Sequence, residues 1–291
     1  ARADRLALLR ATGANLSPII GLYRTAGSAT GAALHALMAV PPDASVVDDG
    51  AVEHRLWVVP VDDTVRGTAA RALLAGASEG PITIADGHHR YETALLFHAE
   101  RPDAATIMTL LFDLAATPVT TLPTHRLVRG RPAGPALLAA AARLFRVDRC
   151  PSAEALVKVM AQPRPGQRLG VYTGDVAAIL TPRPAALGAL LDGHGSEALR
   201  WLDVSVLAAA LQELLGLGED AAHGGAIGYT SDAAEAMAAV RRGEADTAFL
   251  LDPTPVEAVL AVAETGELMP QKSTYFAPKP ATGLVFDMGG S

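Results

Sequence analysis

Five consecutive residues, Asp86, Gly87, His88, His89 and Arg90, form the densest group of reactive side chains in the sequence. The apolar run before them predicts a short buried strand, and the pattern after them predicts a helix. The first turn of a helix has free backbone N–H groups and a partial positive charge, so it attracts phosphate or carboxylate groups. The arginine adds a planar pair of donors for two oxygens of such a group. The segment therefore predicts an anion-binding turn.

Each side chain of this turn has a chemistry of its own. Asp86 can hold Mg²⁺ or orient a hydroxyl group, and Gly87 lets the backbone come close to a ligand. His88 or His89 can donate a hydrogen bond or act as a general base near neutral pH. A structural alternative stays open, because Asp-Gly pairs are common in turns and an aspartate also caps helices. Metal binding by the two histidines is disfavoured, because adjacent side chains on a helix diverge.

Two further segments combine polar groups between apolar elements. In MPQKSTYF (269–276), Lys272 offers a point charge to a phosphate, and Ser273 and Thr274 offer hydroxyl groups. An ordinary exposed loop is the alternative there. We predict that the DGHHR turn lines a pocket and that Lys272 or Ser273 approaches the His89–Arg90 part of it. His125 and Arg126 end a predicted strand, and we predict that they line the same pocket, although a solvated strand end is the commoner interpretation.

Several classes of function are excluded by the composition and the missing motifs. The sequence lacks the GxxxxGK[ST] motif of P-loop kinases. Its GxSxG match, GASEG (76–80), follows a predicted helix, whereas the nucleophile elbow of serine hydrolases follows a strand, so no such elbow is predicted. A net charge of −7 without a dense basic run argues against a nucleic-acid partner. No apolar run reaches the roughly 20 residues of a membrane span, and the first residues lack the pattern of a secretory signal. With a single cysteine, Cys150, we expect a cytoplasmic protein that acts on small molecules.

The predicted strands and helices around these residues indicate two domains. We predict that residues 1–130 form an α/β unit that contains the DGHHR turn. Residues 131–291 are predicted to form a second α/β domain that contains the MPQKSTYF loop. A stretch rich in glycine and proline at 129–136 marks the boundary. Alternating strands and helices indicate a mixed α/β (α+β) fold with some parallel strand pairing. Strands are predicted at 17–23, 54–60, 81–85, 106–114, 122–128, 226–231 and 247–252, and a hairpin at 168–182.

The segment IADGHHRYETAL closely resembles the signature of the bacterial family called domain of unknown function 1015. The resemblance extends over nearly the whole chain, through ADRLALLRATGANLSPIIGLY, HRLW, LPTHRLV, LDVSVL, PTPVEAVLAVAETGELMPQKSTYF and TGLVF. That family is similar to the ParB/sulfiredoxin superfamily, which places such a turn at a nucleotide or phosphate. The resemblance therefore implies a ParB/sulfiredoxin-like catalytic unit followed by a second α/β domain.

The activity that the resemblance implies is phosphoryl transfer from pyrophosphate or a nucleotide to a small hydroxyl substrate such as free serine, with Mg²⁺. A ParB-like nucleotide-binding regulatory module without catalysis is the alternative, and a vestigial site is a third. Family members usually carry a preceding stretch with a Pro-Pro-Tyr-Asp motif. If that stretch supplies substrate or metal groups, the printed sequence holds only part of the site. Ala277 and Pro280 replace the tyrosine and leucine usual in the C-terminal motif.

Overall fold

The structure is a computed structural model that describes residues 2–26, 29–131, 133–163, 166–218, 221, 224–277, 279–280 and 282–288. Contacts within the chain define two compact units. The first unit comprises Ala1–Val119 and Pro278–Ser291, and the second comprises Thr120–Ala277. This division differs from the predicted boundary between residues 130 and 131, and it assigns the C-terminal segment to the first unit.

The first unit is a small sheet with helices. In chain order it contains α1 (Arg2–Thr12), β1 (Ile19–Tyr23), α2 (Ala29–Met38), β2 (Ala44–Val47), β3 (Glu53–Leu56), α3 (Val65–Ala77), β4 (Thr83–Asp86), α4 (His88–Glu100) and β5 (Thr109–Asp113). The fully buried β1 lies between β4, which is antiparallel to it, and β5, which is parallel to it. Parallel pairing requires a long connection between the two strands, and the intervening helices provide it. β2 and β3 form a separate hairpin.

The C-terminal segment joins this first unit through its backbone. Asn15 and Asp287 exchange backbone N–H···O=C hydrogen bonds of 2.7 and 3.0 Å, and the Asn15 amide also donates to the Asp287 carboxylate. Because backbone hydrogen bonds depend little on side-chain type, neither sequence segment signals this pairing by itself. Through this pairing the C-terminal segment belongs to the first unit, which also contains α4.

The second unit is built on a six-stranded sheet. It contains β6 (Thr120–Leu122), β7 (His125–Val128), α5 (Pro135–Ala141), β8 (Phe145–Cys150), α6 (Ala153–Met160), β9 (Leu169–Tyr172), β10 (Ala177–Pro182), α7 (Pro184–Leu191), α8 (Glu197–Arg200), α9 (Asp203–Leu215), β11 (Ile227–Thr230), α10 (Ala233–Arg241), β12 (Thr247–Leu250), α11 (Val256–Glu264) and β13 (Tyr275–Ala277). The sheet order is β11-β7-β12-β9-β10-β8, with antiparallel neighbours throughout. β13 pairs with β6 in a small separate sheet.

The six-stranded sheet is buried on both faces. In β10, Ala178 and Leu180 belong to the core cluster that includes α5, α7 and α9, whereas Ala177 and Ile179 belong to the cluster that includes α6 and α10. Side chains alternate between the two faces of a strand, so helices on both sides make every position of such a strand apolar. This double coverage explains why VAAIL reads as a continuous apolar run.

The predicted mixed α/β fold is confirmed, with its parallel pairing represented among the described strands by β1 and β5. The strand predicted over 54–60 is shorter, because β3 ends at Leu56. The strand predicted over 122–128 divides into β6 and β7 on either side of Pro123 and Thr124, and the two halves join different sheets. None of the helices formed by the described residues combines the length and apolar character of a membrane-spanning segment.

Candidate functional site

Gly87 connects the end of β4 to the start of α4 in a left-handed conformation, with a φ of 95°. Residues with a side chain disfavour this conformation. A Cβ atom here would also lie 2.8 Å from Ile19 Cγ2 and 2.9 Å from Arg90 Nη2. The turn therefore requires glycine for two reasons, the backbone angle and the guanidinium group that lies against it. The Gly87 carbonyl accepts the backbone N–H groups of Arg90 and Tyr91 at 2.8 and 3.0 Å, which starts the helix.

The Asp86 carboxylate lies between two cations. Arg90 Nη2 is 3.3 Å from Asp86 Oδ2, and Lys279 Nζ is 3.3 Å from Asp86 Oδ1. Both separations are longer than the roughly 2.7–2.9 Å of a close charge-assisted hydrogen bond. The Nε atom of Arg90 is buried without a hydrogen-bond partner in the described part of the chain. Two cations therefore contact one carboxylate at the first turn of α4, where the helix dipole also favours negative charge.

Lys279 also belongs to the charged cluster around Asp86, although it is not among the residues predicted from the sequence. It reaches Asp86 from the C-terminal segment that the Asn15–Asp287 pairing returns to the first unit. The sequence does contain one signal for it. Three of the 24 basic residues are lysines, and two of the three, Lys272 and Lys279, lie in the same short C-terminal motif.

The two histidines of the turn are exposed. His89 Nδ1 lies 3.3 Å from the carboxylate of Glu92, one helical turn further on, and the Thr93 hydroxyl donates to the His89 carbonyl at 2.6 Å. His88 and His89 are both at the surface of α4, so their rings are accessible to a solute. This exposure is compatible with the predicted roles as hydrogen-bond donors or as a base.

In the second unit, His125 and Arg126 are buried, with 4% and 7% of their surfaces exposed. The interpretation as a solvated strand end is therefore wrong, because β7 is an inner strand that pairs with both β11 and β12. His125 Nδ1 accepts the backbone N–H of Leu251 at 3.2 Å. Burial, followed by the charge of Arg126, lowers the pKa of His125 to about 4, so its ring is neutral at pH 7.

Arg126 is a buried cation, and no carboxylate forms an ion pair with it among the described residues. Its Nη1 atom donates to the Thr124 carbonyl at 2.5 Å, and its Nη2 atom donates to the Lys272 carbonyl at 3.1 Å. The guanidinium carbon lies 4.7 Å from the centre of the Tyr229 ring. Burial lowers the pKa of Arg126 to about 10. Carbonyl oxygens and an aromatic face thus replace the usual acidic partner.

The MPQKSTYF loop is divided between buried and exposed residues. Ser273 is buried, and its hydroxyl donates to the Pro270 carbonyl at 2.5 Å, while its own carbonyl accepts the Thr254 hydroxyl at 2.8 Å. Thr274 is partly buried. Lys272 has an exposed side chain and a φ of 59°, which is uncommon for a residue with a side chain. The structure thus brings the backbone of Lys272 to Arg126, with the Lys272 side chain exposed to solvent and Ser273 buried.

A second charged group in this unit is also absent from the sequence-based prediction. Arg168, 3% exposed, binds both oxygens of Asp252 at 2.8 and 3.0 Å and donates to carbonyls at the end of α6. Asp203 begins α9, and burial, followed by the charge of Asp252, raises its pKa to about 7. The sequence contains one signal for these two acids. In the motifs LDVSVL and LDPTP, Asp203 and Asp252 each follow a leucine directly.

The clusters around Asp86 and Arg126 belong to different units. Two statements therefore stay predictions. One is that Lys272 or Ser273 approaches the His89–Arg90 turn, and the other is that the turn lines a pocket. A groove of about 510 Å³ in the first unit is lined by apolar side chains of α2, α3 and the segment 57–61, and the DGHHR residues are not part of it. No group of three or more potential metal-ligating side chains occurs in the described ranges.

These features define a mixed α/β protein with a charged strand–turn–helix site. The chain belongs to the family described as protein of unknown function (DUF1015), whose model matches residues 1–205. The matched region includes the whole of the Asp86–Arg90 turn and ends within α9. No curated protein sequence matches the chain.

Solved structures with a similar arrangement are distant in sequence. Free serine kinase in complex with AMP is 13% identical, with a TM-score of 0.46 over 95% of this chain and 79% of that one. A conserved hypothetical protein from Pyrococcus furiosus is 14% identical, with a TM-score of 0.45 over 97% and 84%. SbnI with a C-terminal truncation, from Staphylococcus aureus, is 10% identical, with a TM-score of 0.46 over 99% and 79%.

Proposed function

We propose that this protein is a phosphotransferase that moves a phosphoryl group from pyrophosphate or a nucleotide to a small hydroxyl substrate such as free serine. The observation that carries the proposal is the placement of Arg90 and Lys279 around Asp86 at the left-handed Gly87 turn. Phosphoryl transfer requires positioning and charge neutralisation more than covalent chemistry from the protein. A cationic helix N-terminus beside one carboxylate offers both. The choice of serine follows the family resemblance.

The residues of the turn divide the work between the two reactants. Arg90 binds oxygens of the donor phosphate, and His89 orients the hydroxyl of the acceptor. During transfer the P–O bond to the leaving phosphate breaks while a new P–O bond forms to the hydroxyl oxygen. The hydroxyl proton passes to the carboxylate of Asp86, which lies partly exposed at the start of the helix, or to solvent when that carboxylate holds a metal ion.

When Mg²⁺ is bound, it supplies further neutralisation of the phosphate charge. Asp86 is the residue that would hold it, because Mg²⁺ in such enzymes typically takes one or two carboxylates together with substrate phosphates and water. The described residues offer no larger group of metal-ligating side chains. In the absence of a ligand, both Asp86 oxygens face cations.

The second unit has polar groups of its own that could meet a phosphate in this proposal. The exposed Lys272 side chain meets a phosphate as a point charge, and Arg126 holds the backbone of the same residue in place. Thr274 is the further candidate for a polar contact to substrate, whereas His125 is buried and its Nδ1 atom accepts a backbone hydrogen bond. Ser273 acts through the loop, since its hydroxyl is used inside the protein.

The test is product detection by mass spectrometry after incubating the protein with Mg²⁺, a library of small hydroxyl compounds that includes serine, and pyrophosphate, ADP or ATP in separate reactions. We expect a product heavier than one library member by one phosphoryl group, and its loss in the Asp86→Asn and Arg90→Ala variants. Nucleotide binding without any product would contradict the proposal and favour the regulatory module. A product that survives both substitutions would show that another site is responsible.

A further inference from the structure

The second unit buries a cation near the start of β7 without an acidic partner. Arg126 has 7% of its surface exposed, and burial lowers its pKa only to about 10, so the guanidinium is charged at pH 7. Among the described residues it forms no ion pair with a carboxylate, although buried charges in proteins are normally paired. The Tyr229 ring and two backbone carbonyls contact it, and none of these groups is an anion at pH 7. The environment of Arg126 is therefore complementary to an anionic ligand.

The guanidinium of Arg126 also has unused hydrogen-bond donors. An arginine carries five N–H groups in a planar fork. In the described part of the chain, Nη1 donates to the Thr124 carbonyl and Nη2 to the Lys272 carbonyl, which uses two of the five. The hydroxyl of Thr124 is buried as well, and it has no hydrogen-bond partner among the described residues. These unused groups belong to two residues in direct contact, so they can serve two or more oxygens of one ligand.

Lys272 adds a second cation through the loop that Arg126 contacts. Its side chain is exposed, and its φ of 59° is in the left-handed region. The turn is closed by Ser273, whose backbone N–H and hydroxyl both donate to the Pro270 carbonyl. Glycine would adopt this φ without strain, whereas a lysine adopts it at a cost. The backbone of the turn therefore does not call for a lysine, and its ammonium group is the part that a ligand can use.

We propose that Arg126, Thr124 and Lys272 form an oxyanion-binding site in the second unit, which takes the phosphate or carboxylate group of a small molecule. Arg126 binds two oxygens of the group, the Thr124 hydroxyl donates to one of them, and the Lys272 ammonium neutralises its charge. All three residues belong to the second unit, so the site depends neither on the Asp86–Arg90 turn nor on the phosphotransferase function. Because Arg126 also holds the Lys272 carbonyl, an anion bound here stabilises the loop 269–276.

The experiment measures hydrogen–deuterium exchange of the full chain during titration with sodium phosphate and, separately, with sodium acetate. Sodium chloride at equal ionic strength is the blank. Exchange at residues 269–276 should slow by about 10-fold at ten times the dissociation constant, because the ligand must leave before the loop opens. Protection by phosphate alone identifies a phosphate site, and protection by acetate identifies a carboxylate site. Absence of protection by either anion would overturn the proposal.

Lys272→Gly separates binding from architecture. Glycine fits the left-handed turn, so the melting temperature should stay the same or rise, while anion affinity should fall by about 3-fold or more because the ammonium is lost. Lys272→Arg should retain the affinity of the parent. Lys158→Met is the matched control, because it removes an exposed lysine from α6 of the same unit, and it should change nothing.

Two variants test the buried groups. Thr124→Val replaces a hydroxyl that has no partner among the described residues, so it should weaken anion binding without lowering the melting temperature. Arg126→Met should abolish the protection, and circular dichroism melting shows whether that variant is folded. Should it not fold, Thr124→Val and Lys272→Gly decide by themselves. Affinities like that of the parent in both would refute the site.

Arg90→Ala distinguishes this inference from the proposed function. Arg90 lies in the first unit, so its loss should leave the anion protection of residues 269–276 as it is in the parent. If that protection disappears in Arg90→Ala, the anion binds at the DGHHR turn and the second-unit site is wrong. If the parent shows the protection but yields no phosphorylated product, the site stands and the phosphotransferase proposal fails.

Discussion

Arg126 Nη2 donates a hydrogen bond of 3.1 Å to the carbonyl oxygen of Lys272, across 146 positions of the sequence. The bond joins an inner strand of the six-stranded sheet to a loop residue in the left-handed region of φ. A left-handed conformation costs a residue with a side chain roughly 1–2 kcal/mol, so it persists where surrounding contacts hold it. The hydrogen bond from Arg126 is such a contact for Lys272. A buried cation thus helps to fix the conformation of an exposed loop.

This relationship predicts that Arg126→Met loosens the MPQKSTYF loop. The substitution keeps much of the apolar volume but leaves the carbonyls of Thr124 and Lys272 without their donor. Hydrogen–deuterium exchange at residues 269–276 should become at least about 10-fold faster, which corresponds to roughly 1.4 kcal/mol of lost local stability. Arg149→Met, at an exposed position of β8, is the control and should change nothing in the loop. Unaltered exchange would mean that other contacts fix Lys272.

Arg90→Ala should weaken pyrophosphate or nucleotide binding by roughly 10- to 150-fold, the equivalent of about 1.5–3 kcal/mol for a charge-assisted contact. The melting temperature should change little, because partly exposed ion pairs such as Arg90–Asp86 contribute about 0–1 kcal/mol. Arg90→Lys should restore little affinity, since an ammonium group lacks the planar fork. Arg101→Ala, which breaks an exposed pair with Asp103, is the control. A lowered melting temperature with intact affinity would show that Arg90 only fixes the turn.

Gly87→Ala should destabilise the first unit by at least about 1–2 kcal/mol, because alanine disfavours a φ of 95°. The added methyl group would also overlap Ile19 and displace the guanidinium of Arg90. Urea unfolding measures the loss. Gly80→Ala is the matched control, because a Cβ at that position meets no atom within 4 Å. Equal stability of the two variants would show that the turn adopts a different conformation.

Asp203 should make the protein less stable as the pH rises from about 4 to about 7. Burial, and next the charge of Asp252, raises the pKa of Asp203 from its ordinary 3.8 to about 7. In this interval the unfolded chain releases the proton and the folded chain retains it, so folding is disfavoured by about 1.4 kcal/mol for each unit of pKa difference. Asp203→Asn should remove this pH-dependent loss and unfold at a higher temperature than the parent at pH 8.

Thermal melts of the parent and the Asp203→Asn variant across that interval provide the measurement. Asp192→Asn, at a highly exposed position of the same unit, is the control and should retain the slope of the parent. Parallel stability curves for the parent and Asp203→Asn would indicate that the carboxyl group of Asp203 loses its proton in the folded protein over the same pH range as in the unfolded chain.

Short-range sequence patterns are enough to specify the local architecture of the candidate site. The apolar run before Asp86, the glycine after it and the helix-forming residues that follow are neighbours in the chain, so short-range propensities are sufficient to produce a strand, a turn and a helix. The mixed α/β class follows in the same way from alternating local patterns. The residues from Asp86 to Arg90 are together because they are contiguous.

The residues that join this turn from distant parts of the chain depend on long-range packing. Lys279 reaches Asp86 because Asn15 and Asp287 pair through backbone groups, and backbone groups are alike in every residue. His125 and Arg126 are buried because two strands from the far end of the chain pair with β7, which no local pattern around residue 125 specifies. Long-range pairing depends on the whole chain packing its apolar faces at once, and that collective choice brings the second cation to Asp86.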